Sequence, residues 1–123
     1  MSNIVLIDDQ QLVKIFLSEE MISNGHSVVV IDDPDKALSS VLYLDPDLVV
    51  LNVLFNNLEG WNLLQEIKTT RPSLPVLIFS IFDCLSSDHR SEIADAQIIT
   101  DFKLDRMTRS INCLLKKGDG DGT

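Results

Sequence analysis

The chain predicts an α/β fold, a doubly wound parallel sheet of five strands with five helices on its two faces. Three observations carry this. Five short runs rich in Val, Ile and Leu alternate with longer segments whose apolar residues recur at helical spacing. Leu48-Val49-Val50-Leu51 and Val76-Leu77-Ile78-Phe79 are apolar throughout, as strands covered on both faces must be. Polar residues stand directly after several of these runs, at the edge where open α/β sheets place their functional sites.

Asn3 to Ile7 is the first strand, followed by Asp8-Asp9-Gln10. Leu12, Val13, Ile15, Phe16, Met21 and Ile22 then mark a helix, which Gly25 stops. Ser27 to Ile31 is dominated by β-branched residues and reads as strand two. Asp33-Pro34 reads as an N-cap with proline in the first helical position, opening a helix through Ala37, Leu38, Val41 and Leu42 to Leu44. Leu48 to Leu51 is strand three, ending at Asn52, and a loop over 54–60 leads to a helix marked by Trp61, Leu64 and Ile67. Strand four is Pro75 to Ser80. The helix expected over Asp83 to Ala94 has few apolar anchors. Ala96 to Ile99 is strand five, and Leu104, Met107, Ile111, Leu114 and Leu115 share one face of a last helix. The expected domain covers 1–117, with 118–123 a flexible Gly/Asp tail or linker.

With 123 residues, 45% of them apolar and 24% charged, the chain has the size and composition of one globular domain. A net charge of −9 disfavours sequence-independent binding to nucleic acid or anionic membrane, and no nucleic-acid or membrane partner is expected. Cys84 and Cys113 lack CxxC spacing, and no signal peptide or membrane-spanning run is visible, so a cytoplasmic location is expected. His26 and His89 are isolated and receive no role.

The polar strand ends are the candidate site: Asp8 and Asp9 after strand one, Asn52 after strand three, Ser80 after strand four. Two carboxylates beside a further oxygen ligand suit Mg2+. Each residue taken singly has a plainer role, a cap or a strand end. An amide at position 52 is neutral and weakly nucleophilic and forms no acyl phosphate.

In order and spacing, Ile4-Val5-Leu6-Ile7-Asp8-Asp9, Pro46 to Leu51 with Gly60-Trp61-Asn62-Leu63-Leu64 after it, Pro75 to Ser80, and the ending Phe102 to Met107 resemble the receiver domains of two-component response regulators. The resemblance runs from Asn3 to about Lys117. It implies the flavodoxin-like strand order 2-1-3-4-5 and phosphorelay signal transduction. It places Asp8 and Asp9 on the Mg2+-binding pair, with Asp9 favoured as the direct ligand, and adds the backbone carbonyl of Leu54. Ser80 falls on the switch hydroxyl, and Asn52 falls on the aspartate that accepts phosphoryl.

Other departures accompany Asn52. Thr100 or, with a one-residue shift, Asp101 stands at the family's lysine, and Lys103 is the nearest cation. Gln97 replaces the switch aromatic, Asn56 the loop proline, and bulky Ile81 the small neighbour of the hydroxyl. The fourth helix is expected to be reduced. These losses agree with one another, because the lysine neutralises charge around an acyl phosphate that an amide never forms. Mg2+ binding is expected to be weak or absent.

The leading expectation is a degenerate receiver, not an enzyme, that acts through protein contacts with a histidine kinase, an effector domain or another regulator. The resemblance implies partner contacts through the face of helix four, strand five and helix five, and this is the face expected to serve if the chain forms a homodimer. The second reading is a Mg2+-dependent phosphoryl acceptor using Asp9 or Asp8. A flavodoxin-like binder ranks last, since Asp8-Asp9-Gln10 stands where that fold cradles phosphate.

Overall fold

The structure is a computed structural model that describes residues 2–80, 89–99 and 105–120, with side chains described as far as Lys116. Strands β1 (Asn3–Ile7), β2 (Ser27–Ile31), β3 (Leu48–Asn52), β4 (Val76–Ser80) and β5 (Ala96–Ile99) form one sheet in the order β2-β1-β3-β4-β5. Every pairing is parallel. The connections carry α1 (Gln11–Ser23), α2 (Ala37–Leu44), α3 (Gly60–Thr70) and a 3-10 helix, η1 (His89–Ile93); α4 (Asp105–Gly120) closes the fold. This is the doubly wound architecture that the alternation of runs predicts, in the strand order that the resemblance implies.

The sheet has a core on each face. Val5, Ile7, Val49, Leu51 and Ile78 pack with Ala37 and Val41 of α2 and with Trp61, Leu64 and Ile67 of α3. Ile4, Leu6, Val50, Leu77 and Phe79 pack with Val13, Leu17 and Met21 of α1 and with Met107, Ile111 and Leu114 of α4. The alternation along β1 and β3 sends successive residues to opposite faces, so both faces need apolar residues. β3 and β4 are buried along their whole length, whereas the edge strand β2 leaves Val29 and Val30 exposed.

Two expectations are corrected locally. Asp33 does not cap the second helix. Its Oδ1 accepts the Asp35 N–H (3.0 Å) and its carbonyl accepts the Lys36 N–H (3.1 Å), so it builds a turn and α2 starts only at Ala37. The apolar positions of α1 do not form one face: Val13 and Met21 are buried, but Leu12, Ile15, Phe16 and Ile22 are exposed. Gly25 does end α1, at φ +92°, a conformation glycine adopts without steric cost. The described part of the fourth connection is the 3-10 helix, and residues 81–88 lie outside the described residues.

At the amino edge of the sheet, Lys68 Nζ donates to the Pro72 carbonyl, the Leu74 carbonyl and Asp95 Oδ2, each at 2.9 Å. The same Asp95 oxygen accepts the Val76 N–H at 2.8 Å. This ties the end of α3 to the starts of β4 and β5. Gly60, at the other end of α3, lies against the strand end: a Cβ there would meet Asn52 O, Val53 Cα and Val53 O, all at 2.8 Å. Only glycine lets the helix approach β3 that closely.

Candidate functional site

The register brings the site together. Ile7 is abreast of Leu51, so the next residues, Asp8 and Asn52, emerge side by side at the carboxyl edge. Asn52 is abreast of Phe79, and Ser80 follows one residue on. Asp8, Asn52 and Ser80 are all fully buried, while Asp9 is exposed. The predicted cluster of Asp8, Asp9, Asn52, Leu54 and Ser80 is thus gathered at one edge. Ile81, Thr100, Asp101 and Lys103 lie outside the described residues.

Hydrogen bonds fix which way the Asn52 amide points. Its Oδ1 accepts the Leu54 N–H at 3.0 Å, closing a turn of the chain onto its own side chain. With the oxygen held there, Nδ2 faces the acidic pair and donates to Asp8 Oδ1 (3.0 Å) and to Gln10 Oε1 (3.2 Å). Asp8 Oδ1 also accepts the Gln10 N–H at 2.9 Å. Gln10 is the site residue that the sequence reading missed. Its position directly after the acidic pair was the available signal.

The loop between β3 and α3 completes the corner. Phe55–Leu58 makes one short turn in which Asn56 (φ 49°, ψ 53°), Asn57 (φ 55°, ψ 53°) and Leu58 (φ 73°) are left-handed. Asparagine tolerates this region and leucine adopts it rarely. Through this turn the Asn56 N–H reaches Asp9 Oδ2 (3.0 Å), and the Leu58 N–H lies 3.4 Å from the Leu54 carbonyl, which accepts it.

Burial raises the Asp8 carboxyl above its ordinary 3.8, and the neighbouring Asp9 charge adds to the rise; the bonds from Gln10 and Asn52 and the Lys14 charge oppose it. Asp8 Oδ2 is buried and accepts no hydrogen bond from the described residues. Lys14 Nζ is engaged with Asp32 Oδ2 at 2.9 Å and holds that exposed carboxyl below its ordinary range.

Mg2+ takes about six oxygens in near-octahedral geometry. The orphaned Asp8 Oδ2 is one oxygen of that kind. Position 52 is of the wrong kind: an N–H pair, not an oxygen, projects from it toward Asp8 and Gln10. Asp9 Oδ2 and the Leu54 carbonyl also already accept N–H groups. The residues present do not fit a Mg2+ ion shared between positions 8, 9, 52 and 54.

Comparison with known proteins bears on the same region. Residues 4–100 match the family model described as response regulator receiver domain. The response regulator MprA of Mycobacterium sp. (strain KMS) is 28% identical over 120 residues, which is 96% of this chain and 52% of that protein. The chain spans about half the length of the curated relatives it matches. Among solved structures, the response regulator TrrA of Thermotoga maritima in complex with Mg2+-BeF aligns with a TM-score of 0.87 and 22% identity, covering 93% of this chain and 99% of that one. TrrA in complex with the histidine kinase ThkA aligns with a TM-score of 0.85 and 23% identity, over 94% and 99% of the two chains. At these identities the two structures show the shared fold.

Proposed function

The chain belongs to the response regulator receiver domain family, a family of two-component signalling domains, and from that premise we propose that it is a degenerate receiver that takes up no phosphoryl group at the usual position and works through protein contacts. The observation that carries this is Asn52 itself. A neutral amide stands at the phosphoacceptor position, fully buried, with its oxygen bonded to the Leu54 N–H and its nitrogen to Asp8 and Gln10. It offers no carboxylate to form an acyl phosphate, and its atoms are engaged within the chain.

Contact is supported by the outer side of α1, where Leu12, Ile15, Phe16 and Ile22 are exposed on one helix. Clustered apolar surface of this kind favours cover by another protein. A histidine kinase, an effector domain or another regulator is the proposed partner class. TrrA is seen with a histidine kinase. The face of the fourth connection, β5 and α4 is the proposed homodimer surface; on it Gln97, Arg106 and Arg109 are exposed. Residues 1–117 are read as one receiver domain and 118–123 as a Gly/Asp tail or linker, into which α4 extends as far as Gly120, and the location is read as cytoplasmic. No helix among the described residues is long and apolar enough to cross a membrane.

Incubation with acetyl phosphate and Mg2+ followed by intact-mass measurement tests the reading. The expected mass is unchanged, and a phosphoryl adduct defeats it. The exposure of Asp9 favours one second reading, an acceptor at Asp9 or Asp8. It predicts Mg2+-dependent labelling that Asp9→Ala removes.

A further inference from the structure

Among the described residues, the hydrogen bonds that Asp8, Asp9 and the Asn52 oxygen accept all come from N–H groups of the chain. Asp8 Oδ1 takes two, from Gln10 N and Asn52 Nδ2. Asp9 Oδ2 takes one from Asn56 N. Asn52 Oδ1 takes one from Leu54 N, and the Leu54 carbonyl takes a longer one from Leu58 N. The loop donors are residues 54, 56 and 58, alternate positions of one short segment, and the last two lie within the left-handed run at 56–58. Of these three donors, the Asn56 N–H is the one that reaches a carboxylate, Asp9 Oδ2, while the Leu54 N–H holds the Asn52 oxygen and the Leu58 N–H closes the turn on the Leu54 carbonyl.

We propose that the Asn52 carboxamide and the Asn56 N–H take the cation's place, so that Asp8 and Asp9 are held by hydrogen bonds within the chain and the corner refuses Mg2+. The decisive detail is the sign of the group at position 52. Were Asn52 simply a poorer ligand than aspartate, it would still turn an oxygen to the metal. Here the Leu54 N–H holds that oxygen away, and turning the amide over would set its NH2 against the Leu54 N–H while removing both donors from Asp8 and Gln10. Asparagine therefore acts at this position as a plug, and Gln10 positions it by accepting its second hydrogen.

The inference rests on the reading of the pocket as inert but fails separately from it, since metal can bind without any phosphoryl transfer. Thermal melts of the wild type, Asn52→Ala and Asn52→Asp are recorded over a Mg2+ series at constant ionic strength, with Asp9→Asn as the control for non-specific binding. A poor-ligand role orders the Mg2+-induced stabilisation as Asp, then Asn, then Ala. A plug orders it as Asp, then Ala, then Asn, with the wild type indistinguishable from the control and its affinity at least about tenfold below that of Asn52→Asp. A saturable shift in the wild type equal to or above that of Asn52→Ala overturns the proposal. A second readout needs no variant. The backbone amide signals of Leu54, Asn56 and Leu58 in the wild type are expected to stay in place through a Mg2+ titration, and saturable movement of all three overturns the proposal as well.

Discussion

Two regions reverse the usual rule of burial, and they do so in opposite ways. At the ends of β1 and β3, Asp8 and Asn52 are polar and fully inside. On the outer side of α1, Leu12, Ile15, Phe16 and Ile22 are apolar and outside. The polar pair is joined within the chain by the Asn52 to Asp8 and Asn52 to Gln10 bonds. The apolar set lies outside the core, which on that side of the sheet is made with Val13, Leu17 and Met21. The difference separates chemistry from contact. A pocket whose groups bind one another has little left for a substrate, whereas an apolar helix side is stabilised by whatever covers it.

The largest expected effect comes from the inner side of α1, the reference for its outer side. Leu17 is buried, and Leu17→Ala should cost about 2–5 kcal/mol, seen as a lower urea midpoint at unchanged slope. A loss below about 1 kcal/mol would mean that α1 is loosely seated and that its two sides are not distinct.

Gly60→Ala comes next. The added methyl would meet backbone atoms of Asn52 and Val53, which cannot swing aside like a flexible side chain. A cost of about 1–3 kcal/mol is expected, together with perturbed backbone signals at Asn52 and Leu54. A silent substitution would show that the helix and the strand end are not in firm contact.

The third test is electrostatic. Because the folded carboxyl of Asp8 is raised above 3.8, the native state binds its proton more tightly than the unfolded chain does. Its contribution is full below pH 3.8 and is lost as pH rises through the raised value. Asp32 behaves in the opposite sense. Its lowered carboxyl stabilises the fold above 3.8, and that share is lost as pH falls through its folded value. Asp8→Asn should therefore remove a decline in stability above pH 3.8 while leaving the acid limb set by Asp32 in place. Denaturant melts of both proteins at several pH values measure this; identical slopes above that pH would place Asp8 in a more solvated setting.

The smallest effect belongs to the outer side. Phe16 is 52% exposed, and Phe16→Ser should change stability by no more than about 0.5 kcal/mol. Its consequence is expected instead in binding to a partner. A large loss of stability would show that Phe16 belongs to the core.

Much of this was legible in the chain because it rests on local pattern. Strand positions followed from unbroken aliphatic runs, and the clustering of Asp8, Asn52 and Ser80 followed from their places at strand ends. Gly60-Trp61 was legible as a marker of the loop's end, although the 2.8 Å approach to Asn52 and Val53 that requires the glycine was not. The two sides of α1 were not separable either, since apolar residues occur around most of its circumference and only the sheet decides which are covered. Nor could the sequence give the orientation of the Asn52 amide. That depends on the Leu54 N–H and on three left-handed residues, Asn56, Asn57 and Leu58, the last a residue type that does not announce such a conformation.

One lysine far from the corner gives the sheet a mechanical asymmetry. Through its three 2.9 Å bonds, Lys68 seats the exit of α3, the entry to β4 and the entry to β5 on a single ammonium. From that seat β4 and β5 run side by side to Ser80 and Ile99, which are paired across the sheet at the opposite edge. A partner that grips the amino edge would therefore meet a surface braced by one side chain, at the opposite end of the strands from Asp8, Asn52 and Ser80.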